Sequence, residues 1–153
     1  MFSQLRSRRL PDEAGAHFLA WILLTLALAV HVTDEALTGF LSVYNPTVLA
    51  IREQIPWLPL PVFTFRVWLT LLILGIIALL VMSRWVLRGS RWTIYASYPF
   101  ALMIGLANGC GHIAGSLYRR AWMPGVYSSP LLLAASIYLL VETSRRLREN
   151  GAV

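Results

Sequence analysis

The chain has no lysine, and only 13% of its 153 residues are charged. A soluble domain carries about 25% charged residues, so these few charges cannot cover a water-soluble surface of this size. The 13 basic residues are all arginines, and they lie at the ends of apolar runs. A nucleic-acid binder would gather such charge on one element. We therefore expect no nucleic-acid partner and interpret the arginines as membrane anchors and topology signals.

Cysteine is almost absent as well, because Cys110 is the single thiol in the sequence. One cysteine excludes a disulfide within the chain, and the cellular compartment cannot be inferred from it. Since Cys110 lies inside an apolar run, we expect it to serve in packing.

Long apolar runs are abundant, with 58% apolar residues and a mean hydropathy of +0.65. Each of four runs is close to or above the roughly 20 residues that cross a bilayer. We therefore predict an all-α integral membrane protein, with one four-helix transmembrane domain over residues 1–153. The predicted helices cover about 16–44, 62–87, 93–117 and 126–143. A cleaved signal peptide is the alternative for the first run, but Pro11, Asp12 and Glu13 interrupt the pattern that it requires.

The distribution of arginines predicts the orientation. Nine arginines lie in the N-terminal segment, the second loop and the C-terminal segment, whereas four lie on the opposite face. Positive residues are enriched on the cytoplasmic side. We therefore expect both termini in the cytoplasm and a multi-pass topology.

Three ionisable residues interrupt the first apolar run, namely His31, Asp34 and Glu35. Charged groups inside a membrane are costly, and they indicate a functional site by default. The spacing of three and four residues places all three side chains on one helical face. His17 shares that face, but it lies roughly 21 Å away along the axis. The alternative is that the helix ends here and the three side chains are solvated at the interface.

A second polar group lies in the third run, where Ala101, Gly105, Asn108, His112 and Gly115 follow one another at helical spacing. Small residues at this spacing allow close packing of membrane helices, and Asn or His can hydrogen-bond across them. A packing face with one structural Asn–His contact is the alternative interpretation.

The two polar groups are predicted to lie at the same depth. Glu35 and His112 each come about nineteen residues after the start of their runs, which places both near the outer face at about 28 Å. Arg66 and Tyr118 reach the same layer, and we expect them, with Asn108, to bind a substrate. The other role for Arg66 is interfacial snorkelling.

These residues also carry a resemblance. His31-x-x-Asp34-Glu35 resembles the signature of the HXXEE-motif membrane proteins, which are small bacterial proteins of unknown function. Asn108-x-x-x-His112, Tyr118 and Pro124-Gly125 are similar to a second block of that family. Asp34 departs from the first Glu of the motif and is shorter by one methylene. The resemblance implies a protein of the bacterial cytoplasmic (inner) membrane.

Two functions remain open. In the first, the chain is a membrane-embedded enzyme, a metal-dependent hydrolase or isomerase acting on a lipid-like or apolar substrate near the extracytoplasmic face. His31, Asp34, Glu35 and His112 would then be catalytic and bind a divalent ion, zinc or iron. In the second, the chain is a non-catalytic subunit or a binding protein for a lipid, quinone or pigment. A homo-oligomer or partner membrane subunits are compatible with both.

Overall fold

The computed structural model describes the backbone of residues 2–151 and the side chains of residues 15–148. This part of the chain contains five helices and no strand: α1 (Phe2–Thr38), α2 (Leu41–Gln54), α3 (Phe65–Leu87), α4 (Arg91–Arg119) and α5 (Ser129–Gly151). The prediction of an all-helical protein is confirmed. The middle of α4, Phe100–Ala107, is wound as a π-helix directly after Pro99, a residue that disturbs regular α-helical hydrogen bonding.

Three helical segments of the described chain are long and apolar enough to cross a membrane: Gly15–Thr38, Phe65–Leu87 and Arg91–Arg119. In α3, only 6% of the apolar stretch is buried inside the protein. An apolar helix with so little cover is suited to contact with lipid, which indicates a membrane protein. The fourth predicted span, in α5, does not belong to this group, because Glu142, Arg145 and Arg146 lie in its second half.

The first helix ends at Thr38, earlier than the predicted boundary near residue 44. Gly39 has a φ of +78°, in the left-handed region that terminates helices at little cost for glycine. The N–H of Phe40 then donates to the carbonyl of Glu35 at 2.9 Å. The chain continues as α2, whose residues up to 44 were predicted to belong to the first helix and whose remaining residues were predicted to connect it to the second.

The last predicted helix also differs at its start. We expected it from about residue 126, but α5 begins at Ser129. Pro124, Gly125 and Val126 form a buried turn before it, so apolar composition alone misplaced this boundary.

The core surrounds α1, which packs against α3 and α5. Trp21 is fully buried there, donates its indole N–H to the carbonyl of Leu79 at 3.0 Å and lies against Phe100. Gly105 faces the Ser136 side chain so closely that a methyl group would collide with it. The small residues of α4 therefore allow close approach to α5, as their spacing predicted.

A separate polar contact joins α1, α4 and α5 at the other end of the span. Arg146 can only donate, so Nδ1 of His17 accepts its N–H at 3.2 Å, and Nε2 of His17 donates to Ser97 at 2.9 Å. His17 is fully buried in this contact. It lies outside the cluster around His31, as its separation along α1 predicted. Glu142 pairs with Arg145 at 2.8 Å.

Candidate metal centre

Two histidines and one glutamate converge between α1 and α4. Oε1 of Glu35 lies 3.0 Å from Nε2 of His112 and 3.6 Å from Nε2 of His31. The exposed fractions of the three residues are 0% for His31 and 5% each for Glu35 and His112. The helical spacing of His31 and Glu35 places both on the inner face of α1, and α4 brings His112 to the same depth. The two polar groups of the sequence therefore share one layer.

These distances allow the three side chains to bind one ion together. One ligand atom from each residue lies within 4.8 Å of the others. Two ligands at about 2.05 Å from a tetrahedral zinc ion are separated by about 3.3 Å. The separations of 3.0 and 3.6 Å between Glu35 and the two histidines lie on either side of this value. His31, Glu35 and His112 could thus hold a divalent ion.

The tautomer of His31 follows from its second contact. Ser128 lies with its hydroxyl 2.8 Å from Nδ1 of His31 and 2.8 Å from Oδ2 of Asp34. The Asp34 carboxylate also accepts the backbone N–H of Ser128 at 2.9 Å. Because the carboxylate accepts, the hydroxyl hydrogen points to Asp34, and Ser128 Oγ accepts the Nδ1–H of His31. Nε2 of His31 is therefore left with a free lone pair directed at the centre of the cluster.

That lone pair is an unusual feature for a buried nitrogen. Among the described residues, Nε2 of His31 has no hydrogen-bond partner. Its neighbour Glu35 supplies only acceptor oxygens when ionised and therefore cannot donate to this lone pair. A buried polar atom without a partner is costly. A cation bound to this nitrogen would remove the cost, and so would a proton shared with Glu35. The nitrogen is therefore available as a metal ligand or as a proton acceptor.

His112 faces two acceptors instead. Its Nε2 lies 3.0 Å from Glu35 Oε1 and 3.2 Å from the side-chain oxygen of Asn108. Because both neighbours accept, this nitrogen carries the hydrogen and Nδ1 is bare. No hydrogen-bond partner for Nδ1 exists in the described part of the protein. Transfer of the hydrogen to Nδ1 makes Nε2 available as a ligand.

The turn before α5 closes the site from one side. Gly125 has a φ of +83°, and a methyl group built on it would lie 2.9 Å from Cε1 of His112 and 3.0 Å from Cγ of Glu35. Only glycine fits here, both for its backbone conformation and for the close approach. The ring of Phe40 covers another side, 5.7 Å from His112 between ring centres.

The structure distinguishes between the predicted site residues. His31, Glu35 and His112 are brought together, and Asn108 adjoins them. Asp34 was predicted as a ligand, but it lies outside this group, since its carboxylate is directed to Ser128. In the described chain no ion pair joins Arg66 to a carboxylate; this residue is exposed at the start of α3, and Tyr118 is 91% exposed.

Ser128 and Phe40 were missed by sequence reasoning. A serine in a turn and an aromatic residue after a helix carry no specific signal. Gly125, in contrast, was within reach, because Pro124-Gly125 accompanies the motif residues in the sequence.

An apolar cavity of about 560 Å³ adjoins the site. It lies between α1, α3 and α4, and its walls include Leu28, Leu72, Leu79 and Phe100. At one end it is bordered by Glu35 and Asn108. Its volume lies in the range of about 300–1,000 Å³ that is typical of small-molecule sites.

The fold and the site define a helical membrane protein with a buried two-histidine, one-glutamate cluster. Residues 21–139 match the family model described as "Protein of unknown function with HXXEE motif", and the chain belongs to this family. The resemblance inferred from the motif is thereby confirmed, with Asp34 in place of the first Glu of the motif. Comparison with curated proteins and with solved structures finds no match.

Proposed function

We propose that this protein is a membrane-embedded, metal-dependent enzyme that acts on a lipid-like substrate by hydrolytic or acid/base chemistry. The observation that carries the proposal is the buried, unpartnered Nε2 of His31, which faces Glu35 and His112. Two histidines and one carboxylate form the protein ligand set of zinc hydrolases, and Fe(II) enzymes use the same set. We infer zinc or iron as the ion.

The roles of the residues follow from their contacts. His31, Glu35 and His112 would hold the ion, which when bound supplies Lewis-acid polarisation of a carbonyl or phosphoryl oxygen. The Asp34–Ser128 pair holds His31 in the tautomer that a ligand needs. The amide of Asn108 borders both His112 and the cavity, and it can orient a substrate oxygen or nitrogen.

Without a metal, the His112–Glu35 pair could still carry a proton by itself. Glu35 Oε1 can accept a proton from an attacking water while the water oxygen bonds to the carbonyl carbon, and the pair can return the proton to the leaving oxygen as the bond between that oxygen and the carbonyl carbon breaks. In an isomerisation the same pair takes a proton from one carbon and delivers one to another. Burial excludes bulk water, which strengthens such electrostatic interactions.

The membrane arrangement is part of the proposal. We propose that α5 is a fourth span, so that the protein is a four-helix bundle with both termini in the cytoplasm of a bacterium. The inner membrane is then its location, and the cluster lies near the extracytoplasmic face. The excess of arginines at the two ends and in the α3–α4 loop supports this orientation. Arg66 and Tyr118, exposed in the same layer, are then placed to contact a polar headgroup.

Elemental analysis of the detergent-purified full chain tests the metal site. We expect one equivalent of zinc or iron, and its loss in both His31→Ala and His112→Ala. His17→Ala is the matched control, because His17 is equally buried and hydrogen-bonded but lies outside the cluster. Retention of metal in either cluster variant, or equal loss in the control, would contradict a shared site.

A non-catalytic protein that binds a lipid, quinone or pigment is the second candidate. The cavity favours it, because an apolar space bordered by one carboxylate and one amide is sufficient for binding alone. In that case a small molecule would co-purify in stoichiometric amount and remain unchanged. The Glu35→Gln variant would then retain the biological activity in cells, whereas the enzyme requires Glu35.

A further inference from the structure

We propose that the cavity between α1, α3 and α4 binds one acyl chain of a lipid, with the polar end of that chain at Glu35 and Asn108. This inference rests on the proposed function and assigns its substrate class. The cavity is bordered at one end by these two polar side chains and is otherwise lined by apolar residues. A hydrocarbon chain with a carbonyl at one end has the same distribution of polarity.

The dimensions also favour a single chain. The wall contributed by α4 extends from Ala96 to Asn108, which corresponds to roughly 18 Å along a helix. A transmembrane helix of that length and about 10 Å diameter occupies about 1,400 Å³. The cavity has about 560 Å³, so a helix could only lie across its opening, whereas an extended alkyl chain can lie inside it.

Access to the cavity is from the side. Residues at its rim are exposed on both walls: Leu71 on α3 is 54% exposed, and Met103 on α4 is 65% exposed. In a membrane these positions face lipid. An acyl chain can therefore enter laterally from the bilayer, without passing through water, and bring its polar end to the buried cluster.

Gly75 provides a means of closing the cavity. It lines the wall on α3, and a methyl group added there would meet no other atom within 4 Å. A larger side chain at this position therefore occupies free space instead of disturbing packing. Gly111 on α4 is the matched control, because it has the same open surroundings but does not line the cavity.

Photolabelling of the full-length protein in detergent tests the inference. The probe is palmitic acid with a diazirine on its terminal carbon, and the metal content of each preparation is measured in parallel. We expect the label at the far end of the cavity, on Leu79 and Met82. Gly75→Trp should reduce this labelling about tenfold, equivalent to 1.4 kcal/mol of binding, whereas Gly111→Trp should leave it unchanged. Both variants should keep their metal.

The outcomes separate this inference from the proposed function. If label falls equally on outward-facing side chains such as Leu74 and Val81, or if Gly75→Trp has no effect, the acyl-chain assignment is overturned even when metal is bound. Labelling of the cavity in a protein without metal supports the acyl-chain assignment and contradicts the proposal of a metal-dependent enzyme. If the tryptophan variants do not fold, Gly75→Leu and Gly111→Leu give the same comparison.

Discussion

The hydroxyl of Ser128 lies 2.8 Å from Nδ1 of His31, although the two residues are 97 positions apart in the chain. The same hydroxyl donates to Asp34, so a carboxylate acts on the imidazole through a serine. Metal-binding histidines commonly donate their second N–H to such a partner, which fixes the tautomer and orients the ring. In the proposed metal site, the motif carboxylate Asp34 would therefore support the ligand His31 through Ser128.

Replacement of Ser128 by alanine should weaken metal binding without removing a ligand. We expect a loss of about 10- to 100-fold in affinity, the usual effect of losing such a partner. Competition with a chelator measures this change. Ser129→Ala is the control, because Ser129 is also buried and bonds to the Gly125 carbonyl at 2.8 Å, but it does not contact His31. An equal loss in both variants would show that the turn, and not the hydroxyl, matters.

The two neighbouring carboxylates should respond differently to neutral substitution. Glu35→Gln removes the charged oxygen that faces both histidines and should abolish metal binding. Asp34→Asn should only reduce the affinity, because it alters the support of His31 through Ser128. Elemental analysis and chelator competition distinguish the two results. Loss of the metal in Asp34→Asn to the same extent would restore Asp34 as a direct ligand.

The sequence predicted the site as far as helical geometry reaches. Helical spacing placed His31, Asp34 and Glu35 on one face, and counting from the start of each run placed His112 at their depth. The direction of the Asp34 side chain could not be predicted, because it depends on the turn before α5. That turn forms because Gly125 adopts a positive φ and Ser128 donates its N–H and its hydroxyl to the Asp34 carboxylate. Neither feature can be read from a periodic pattern in the sequence. The end of α1 was missed for the same reason, since Gly39 terminates an apolar run without a change of composition.

Gly125 should tolerate no side chain. In Gly125→Ala the new methyl group would meet His112 and Glu35 at about 3 Å, and the left-handed backbone costs about 1–2 kcal/mol for a residue with a Cβ. We expect a lower Tm in detergent and a loss of metal. Gly111→Ala is the matched control and should be neutral or slightly stabilising, because Gly111 lies in a helix with open space around it. Unchanged metal content in Gly125→Ala would mean that the turn does not close the site.

Alkaline phosphatase fusions test the fourth span, since this reporter folds only where disulfides form. Fusions in the loop at residue 58 and in the loop at residue 122 should be active, and fusions at residue 89 should be inactive. The decisive fusion follows residue 148. If α5 crosses the membrane, the reporter remains in the cytoplasm and is inactive; if α5 lies on the surface, the reporter is active. A crossing α5 would bring Glu142 and Arg145, which pair at 2.8 Å, to the cytoplasmic boundary of the membrane. An active reporter at this position would reduce the bundle to three spans while leaving the cluster of His31, Glu35 and His112 in place.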